Sequence, residues 1–191
     1  MSDKRHQLVM TALELFYQKG VHAVGINEVL AASGVAKKTL YHHFDSKEAL
    51  VLAALRYRDD SFLHWLTRRL QTAPAGSERI GALFDALDDW FNSRVDELLP
   101  FNGCFFINVS GEFGEVDHPL HQQCSQHKRN VAALIHAEVQ ALGITPSRVA
   151  PLTDALCLLK EGAISMAHVQ GDLTAAVKAK HAAKQLITAH G

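Results

Sequence analysis

Ile26-Asn27-Glu28-Val29-Leu30-Ala31-Ala32-Ser33-Gly34-Val35-Ala36-Lys37-Lys38-Thr39-Leu40-Tyr41-His42-His43-Phe44-Asp45-Ser46-Lys47-Glu48-Ala49-Leu50 is the stretch that decides the fold. It reads as two short helices, about residues 26–33 and 37–44, broken at Gly34-Val35-Ala36. A tight turn between crossing helices needs a residue that tolerates positive φ, which Gly34 supplies. It also needs a small residue where the helices touch, and Ala31-Ala32 is expected there. Val35, Leu40 and Phe44 are predicted to point inward, with Leu40 and Phe44 one turn apart. Lys37, Lys38, Thr39, Tyr41, His42 and His43 are left for the outer and flanking surface. This is the pattern of a helix-turn-helix. In versions that bind DNA, the first residues of the second helix face base edges in the major groove. Lysine donates to guanine O6 and N7, and threonine serves bases or phosphates.

Helical periodicity continues on both sides. Val9, Leu13, Phe16 and Tyr17 form one apolar stripe that Gly20 ends. Asp45 and Glu48 read as the N-cap and N3 of a capping box opening a long helix through Leu50, Leu55, Phe62, Leu66 and Leu70. After a loop at Thr72–Ser77, a helix carries Ile80, Leu83, Phe84, Leu87, Trp90 and Phe91 on a broad face. Cys104 to Phe113 is a short apolar helix, and a helix from about His121 to Leu142 stops at Gly143. Thr145-Pro146 starts another that runs to Gln170, and Asp172 caps a last alanine-rich helix to about Ala189. The count is nine helices, with no strand and no internal repeat. Basic turn chemistry gives way to long amphipathic helices near residue 46. The expected domains are therefore 1–46 for the helix-turn-helix and 47–191 for the rest.

The 191 residues carry 19 Lys and Arg, 20 Asp and Glu and 12 His, for a formal net charge of −1. That balance argues against a generic polyanion binder, which usually has a large basic excess. Divided at residue 50, six basic side chains stand against five acidic ones in the head, and 13 against 15 in the body. Basic character is weak and local, so binding to nucleic acid would lean on a few phosphate contacts. No uninterrupted apolar run approaches the ~20 residues of a bilayer span. A cytoplasmic chain without membrane contact is expected. The three cysteines, Cys104, Cys124 and Cys157, form no CxxC pair and fit free thiols. No phosphate loop, nucleophile elbow or HExxH motif is present, so neither an enzyme nor a cofactor is implied.

Residues 26–50, within a similarity spanning roughly residues 5–55, resemble the N-terminal signature of TetR-family (TetR/AcrR-like) transcriptional regulators. Gly34, Thr39-Leu40-Tyr41, Phe44 and Lys47-Glu48 fall at the family's spacing. The resemblance implies an all-α, nine-helix fold, with a three-helix DNA-binding domain followed by an effector-binding and dimerisation domain. It implies that Lys37, Lys38 and Thr39 open the recognition helix, that Tyr41 and His42 reach the phosphate backbone, and that Lys47 sets its ammonium and a helix N-terminus near a phosphate. Two positions depart from the pattern. Gly25 stands where Ser or Thr caps the second helix, and Ala36 stands where Ser precedes the recognition helix, a lost cap worth about 1 kcal/mol. The implied partners are double-stranded DNA with a near-palindromic operator, a second copy of the chain and a small-molecule effector.

For the dimer, Leu152, Leu156, Leu159, Ala163 and Met166 alternate in steps of four and three, as a packing seam does. Ala176 and Ala183 on the last helix allow close approach. For the effector, Trp65, Trp90, Phe91, Cys104, Phe105, Asn108 and Glu112 are the expected pocket lining, apolar with a few polar groups. Three other readings compete. Cys104, at a helix start, would be a more reactive thiol and a sensor of electrophiles. His118, His121, Cys124 and His127 recur every three residues and could hold a metal, although no metal site is the expectation. A helical ligand-binding protein that never touches DNA is the third.

Overall fold

The computed structural model describes residues 3–190, and among them the chain forms nine α-helices and no strand. They are α1 (Asp3–Lys19), α2 (Ile26–Ser33), α3 (Lys37–His43), α4 (Lys47–Gln71), α5 (Ser77–Phe91), α6 (Phe105–Glu112), α7 (Pro119–Gln140), α8 (Pro146–Gln170) and α9 (Ala175–His190). A 3-10 turn at Asp96–Leu98 precedes α6 and was not predicted. Contacts group the chain into two compact units, and not at residue 46. One unit combines the residues up to Asp60 with Cys104–His127, and the other combines Ser61–Gly103 with the residues from Lys128 onward. The physical reason is continuity. Helix α4 starts at Lys47, and its first half stays with the N-terminal helices up to Asp60, as does α6.

In the first unit, α1 buries Leu8, Val9, Ala12, Leu13, Phe16 and Tyr17 and packs against α2 and α3. Gly34 holds φ 64° and donates its N–H to the Leu30 carbonyl at 2.9 Å, which turns the chain from α2 into α3. The small residue at the helix contact is not Ala31 or Ala32, which are both exposed. It is Ser33, buried one helical turn beyond the buried Val29. Ser33 Oγ accepts the Val35 N–H at 3.3 Å, and its carbonyl accepts Gln7 Nε2–H at 2.7 Å, pinning the turn to α1. The capping box also shifts by one residue. Ser46, not Asp45, caps α4, because its Oγ accepts the Ala49 N–H at 3.1 Å and its carbonyl accepts the Leu50 N–H. Deeper in this unit, α4 and α7 share a buried polar pair, His127 Nδ1 to Asp59 Oδ1 at 2.7 Å. Phe106 lies flat on the His127 ring, with centroids 3.6 Å apart. Arg58, 2 % exposed, sets its guanidinium 5.2 Å over the Tyr17 ring, and burial lowers its pKa.

In the second unit, α9 packs against α5 and α8. Helix α8 buries Val149, Leu152, Thr153, Leu156, Lys160, Ala163, Ile164 and Ala167. Asp172 does not cap α9 directly. Its carboxylate accepts the Thr174 N–H at 3.1 Å, two residues on and just before the helix. The buried Lys160 ammonium rests on the Glu161 carboxylate, which also takes Lys128 Nζ at 2.7 Å. Burial by itself would raise the Glu161 carboxyl, but Lys160 and Lys128 overcome it and hold it below the usual range.

A carboxylate whose folded pKa is depressed stabilises the fold above its unfolded pKa of ~4.3, and that contribution is lost as pH falls through the folded value. Glu161→Gln is expected to lower stability at neutral pH and to flatten the loss below about pH 4. Urea melts of both proteins across that range check it; parallel pH curves would contradict it.

Candidate nucleic-acid interface

Helix α3 is held from behind by Val35, Leu40 and Phe44, which are 5, 0 and 4 % exposed. Its other side carries Lys37, Lys38, Tyr41 and His42, all exposed, with Thr39 and His43 half-buried. Six expected contact residues therefore lie on one seven-residue helix around an inward anchor. Neither short helix has a side-chain N-cap: Gly25 and Ala36 stand in the cap positions and make no side-chain hydrogen bond. The N–H groups of Lys37 and Lys38 are among the first of α3, where backbone donors have no helical acceptor and favour anions. From α1, Arg5 sets its guanidinium 5.1 Å over the Phe44 ring, at the end of α3.

Lys47 stands differently from its expected role. Its Nζ donates to the Val21 carbonyl at 2.6 Å, in the turn between α1 and α2. The same turn is gripped from α6. Glu112 Oε1 accepts the Val21 N–H at 2.7 Å and Oε2 accepts the His22 N–H at 2.6 Å. The His22 ring adds a 3.1 Å contact to Glu112 and stacks on Phe113 at 4.8 Å. Gly20 makes the approach possible. It has φ 87°, and a Cβ there would lie 3.2 Å from Glu112 Oε1. Sequence reasoning placed Glu112 in an effector pocket and had no signal for this contact, since residues 21 and 112 are far apart in the chain.

The remaining expected pocket residues fall into both units. Cys104 and Phe105 are buried in the first, where Cys104 offers its carbonyl to the Asn108 N–H at 3.0 Å. Trp65, Trp90 and Phe91 are buried in the second and belong to an aromatic cluster. The possible metal group does not assemble. His127 is engaged with Asp59, His121 Nδ1 meets the Phe113 carbonyl at 2.9 Å, and His118 Nδ1 accepts the Leu120 N–H at 3.2 Å. Among the described residues no three His, Cys, Asp or Glu side chains converge as a metal site. Steps of three drift around an axis of period 3.6, which separates these side chains.

The expected dimer seam is partly internal. Leu152, Leu156, Ala163, Ala176 and Ala183 are buried within the chain. Helix α8 carries a second apolar stripe that is open. Ala155, Leu158, Leu159, Gly162 and Met166 line, with Ala179, Ala182 and Leu186 of α9, a groove of about 480 Å³. Leu158 is 74 % exposed. Leu159, Ala163 and Met166 thus line the open groove, and Leu152 and Leu156 lie on the closed side.

Residues 8–54 match the family model described as bacterial regulatory proteins, tetR family. The transcriptional activator FasR of Mycolicibacterium smegmatis is 35 % identical over 88 residues, 46 % of this chain and 40 % of that protein. The transcriptional repressor NemR of Escherichia coli is 28 % identical over 134 residues, 70 % of this chain and 65 % of that protein. The matched region spans less than two thirds of either relative. The crystal structure of SCO4454, a TetR-family transcriptional regulator from Streptomyces coelicolor, superposes with a TM-score of 0.87 at 25 % identity, covering 99 % of this chain and 90 % of that one. The helices, their order and the helix-turn-helix are those of a TetR-type regulator. Residues 8–54 thus carry a TetR-family domain, and the chain as a whole has the TetR fold. Among the described residues, no helix is long and apolar enough to cross a membrane.

Glu112→Gln leaves one acceptor oxygen and removes the charge. Hydrogen bonds to charged groups contribute about 1.5–3 kcal/mol each. The Val21 and His22 amides are expected to exchange with solvent faster in the variant than in the parent, while the Gly34 amide is unchanged. Equal protection of all three would show that the clasp contributes nothing.

Proposed function

We propose that the chain is a dimeric DNA-binding regulator of transcription, released from a near-palindromic operator by a small-molecule effector. The observation that carries this reading is α3: a short, buried-backed helix with Lys37, Lys38, Tyr41 and His42 exposed together on it. Lys37, Lys38 and Thr39 read the major groove, and Tyr41, His42 and His43 reach the backbone beside it. Lys47 contributes less through a phosphate than through the turn it holds. One relative is named a repressor and another an activator. Repression is the sign proposed here, by likeness to the relative matched over the larger share of this chain.

A near-palindrome is read by a two-fold pair of modules. The open α8–α9 stripe suits a second copy, because its apolar lining is continuous and its small residues admit a facing helix. An effector shifts the pair between states only by its difference in affinity for them. The regulator reading fits better than a metal sensor, whose ligands do not converge, or a thiol sensor, whose Cys104 is 5 % exposed.

Binding to duplexes from upstream of the coding region, and to duplexes selected from random sequence, tests the reading. Lys38→Ala or Thr39→Ala is expected to relax preference at one base position by about 1–3 kcal/mol. Tyr41→Phe, which removes a proposed backbone contact, is expected to weaken all duplexes alike. Absence of binding to every duplex at about 50 mM salt overturns the proposal. Independently, Leu158→Glu with Met166→Glu is expected to give monomers in sedimentation while helicity is retained. A dimer that survives both changes places the interface elsewhere.

A further inference from the structure

The second unit contains a buried hydrogen-bond donor with no acceptor. Trp90, on α5, is 2 % exposed, and its indole Nε1 is sealed from solvent without a partner. Its surroundings are rings. Phe62 stands 5.3 Å away at 71°, Phe101 5.0 Å away at 90° and Phe91 5.8 Å away at 44°. Trp65 joins through Phe62 at 5.2 Å. Leaving such a donor unsatisfied is unfavourable, and a phenylalanine at position 90 would fill an aromatic box without that cost. An apolar box with one aimed donor is complementary to a flat apolar molecule with one acceptor atom.

Two further observations bear on access to the cluster. The connection from α5 to α6 covers the cluster under strain. Ser93 and Leu99 have φ of 54° and 58°, and Leu99 has ψ 156°, a region L residues rarely occupy. Such strain gathers at ligand clamps and switch segments. Gly103, at φ 77°, lies so close to His168 that a Cβ would sit 2.8 Å from the ring. Between these points Phe101 presses on Phe91 at 4.9 Å and on Trp90, with its N–H on Ser93 Oγ at 3.0 Å. Phe101 is half-buried, whereas Trp90 and Phe91 are buried, so it is the outermost ring of the cluster. A groove of about 400 Å³ reaches the cluster at Trp65 and runs past Arg68, Arg69, Asp89 and Arg94 to Val95, Asp96 and Glu97 of the same connection, so charge lines the approach and not the ring cluster itself.

We propose that Trp90 anchors a binding subsite for a neutral, flat, apolar molecule bearing one oxygen acceptor, such as an aryl ketone, ester or ether. The molecule takes the place of Phe101 beside the indole and accepts the Trp90 Nε1–H with its acceptor atom in the indole plane. Charged ligands are disfavoured, because the five rings offer no counter-charge and a buried unpaired ion is costly. The inference rests on the reading of the chain as an effector-responsive regulator, and it names the chemistry of that effector.

The test uses the full chain with 2-acetylnaphthalene and 2-ethylnaphthalene, which differ by the carbonyl. Nitrogen–proton spectra resolve the two indoles, and Trp90→Phe assigns them. The acetyl probe is expected to move the Trp90 indole proton downfield and to bind about tenfold more tightly than the ethyl probe, the difference one net hydrogen bond makes. Trp90→Phe is expected to erase that difference, and Phe101→Ala to tighten both probes. Equal affinity for the two probes, a difference that survives Trp90→Phe, or no binding at the solubility limit overturns the subsite. DNA binding is read separately. If the indole shifts and the tenfold difference appears but operator affinity is unchanged, the subsite stands and effector release fails. If a probe releases DNA while the Trp90 indole is unmoved, the subsite fails and effector release stands.

Discussion

The grip of Glu112 on the α1–α2 turn is the contact on which the helix-turn-helix unit most depends. Val21 and His22 lie in the turn between α1 and α2, and the amides of a partly buried turn must find acceptors. Glu112 supplies both oxygens of one carboxylate to Val21 and His22, and Lys47 satisfies the Val21 carbonyl on the other side. Three helices, α1, α4 and α6, thereby meet at one peptide. That is why α6, distant in sequence, groups with the N-terminal helices in a unit that continues past residue 46 to Asp60. A change that moved the end of α6 would first be felt at the entrance to α2.

The helix-turn-helix was legible because its rules are local. Gly34 for a left-handed turn and Leu40 with Phe44 one turn apart act within a few residues of themselves, and the structure keeps them. The errors within the same stretch are of register. Ala31 and Ala32 looked like the contact because they are small, yet direction around a helix is set by angle, and Ser33 stands one turn on from Val29. Asp45 and Ser46 are both good caps in sequence. The backbone selects Ser46, whose hydroxyl reaches the Ala49 amide.

The candidate sites farther along the chain were less legible, for a different reason. Helix α8 is apolar on two sides, and periodicity cannot say which side meets the chain's own core. Leu152 and Leu156 fall inside, while Leu158, two residues on, faces out. Likewise, the spacing of His118, His121, Cys124 and His127 is blind to partners on other helices. His127 finds Asp59 and Phe106, and a histidine so engaged is lost to a metal. Glu112 was expected in an effector pocket, but its partners lie on a turn some ninety residues earlier.

These placements also bear on how so nearly neutral a chain meets DNA. A net charge of −1 reports an average over 191 residues, whereas recognition depends on where a few cations stand. Lys37 and Lys38 are exposed at the start of α3, where helix-end amides add partial positive charge that no residue count records. Lys47 is held by a carbonyl, and Arg58 is buried over Tyr17. Both count toward the total while their cationic heads are engaged with other parts of the protein. The electrostatic face is therefore small. Contacts to phosphate fall off steeply with salt, so a module with few of them would draw its selectivity from base edges, the role proposed for Lys37, Lys38 and Thr39.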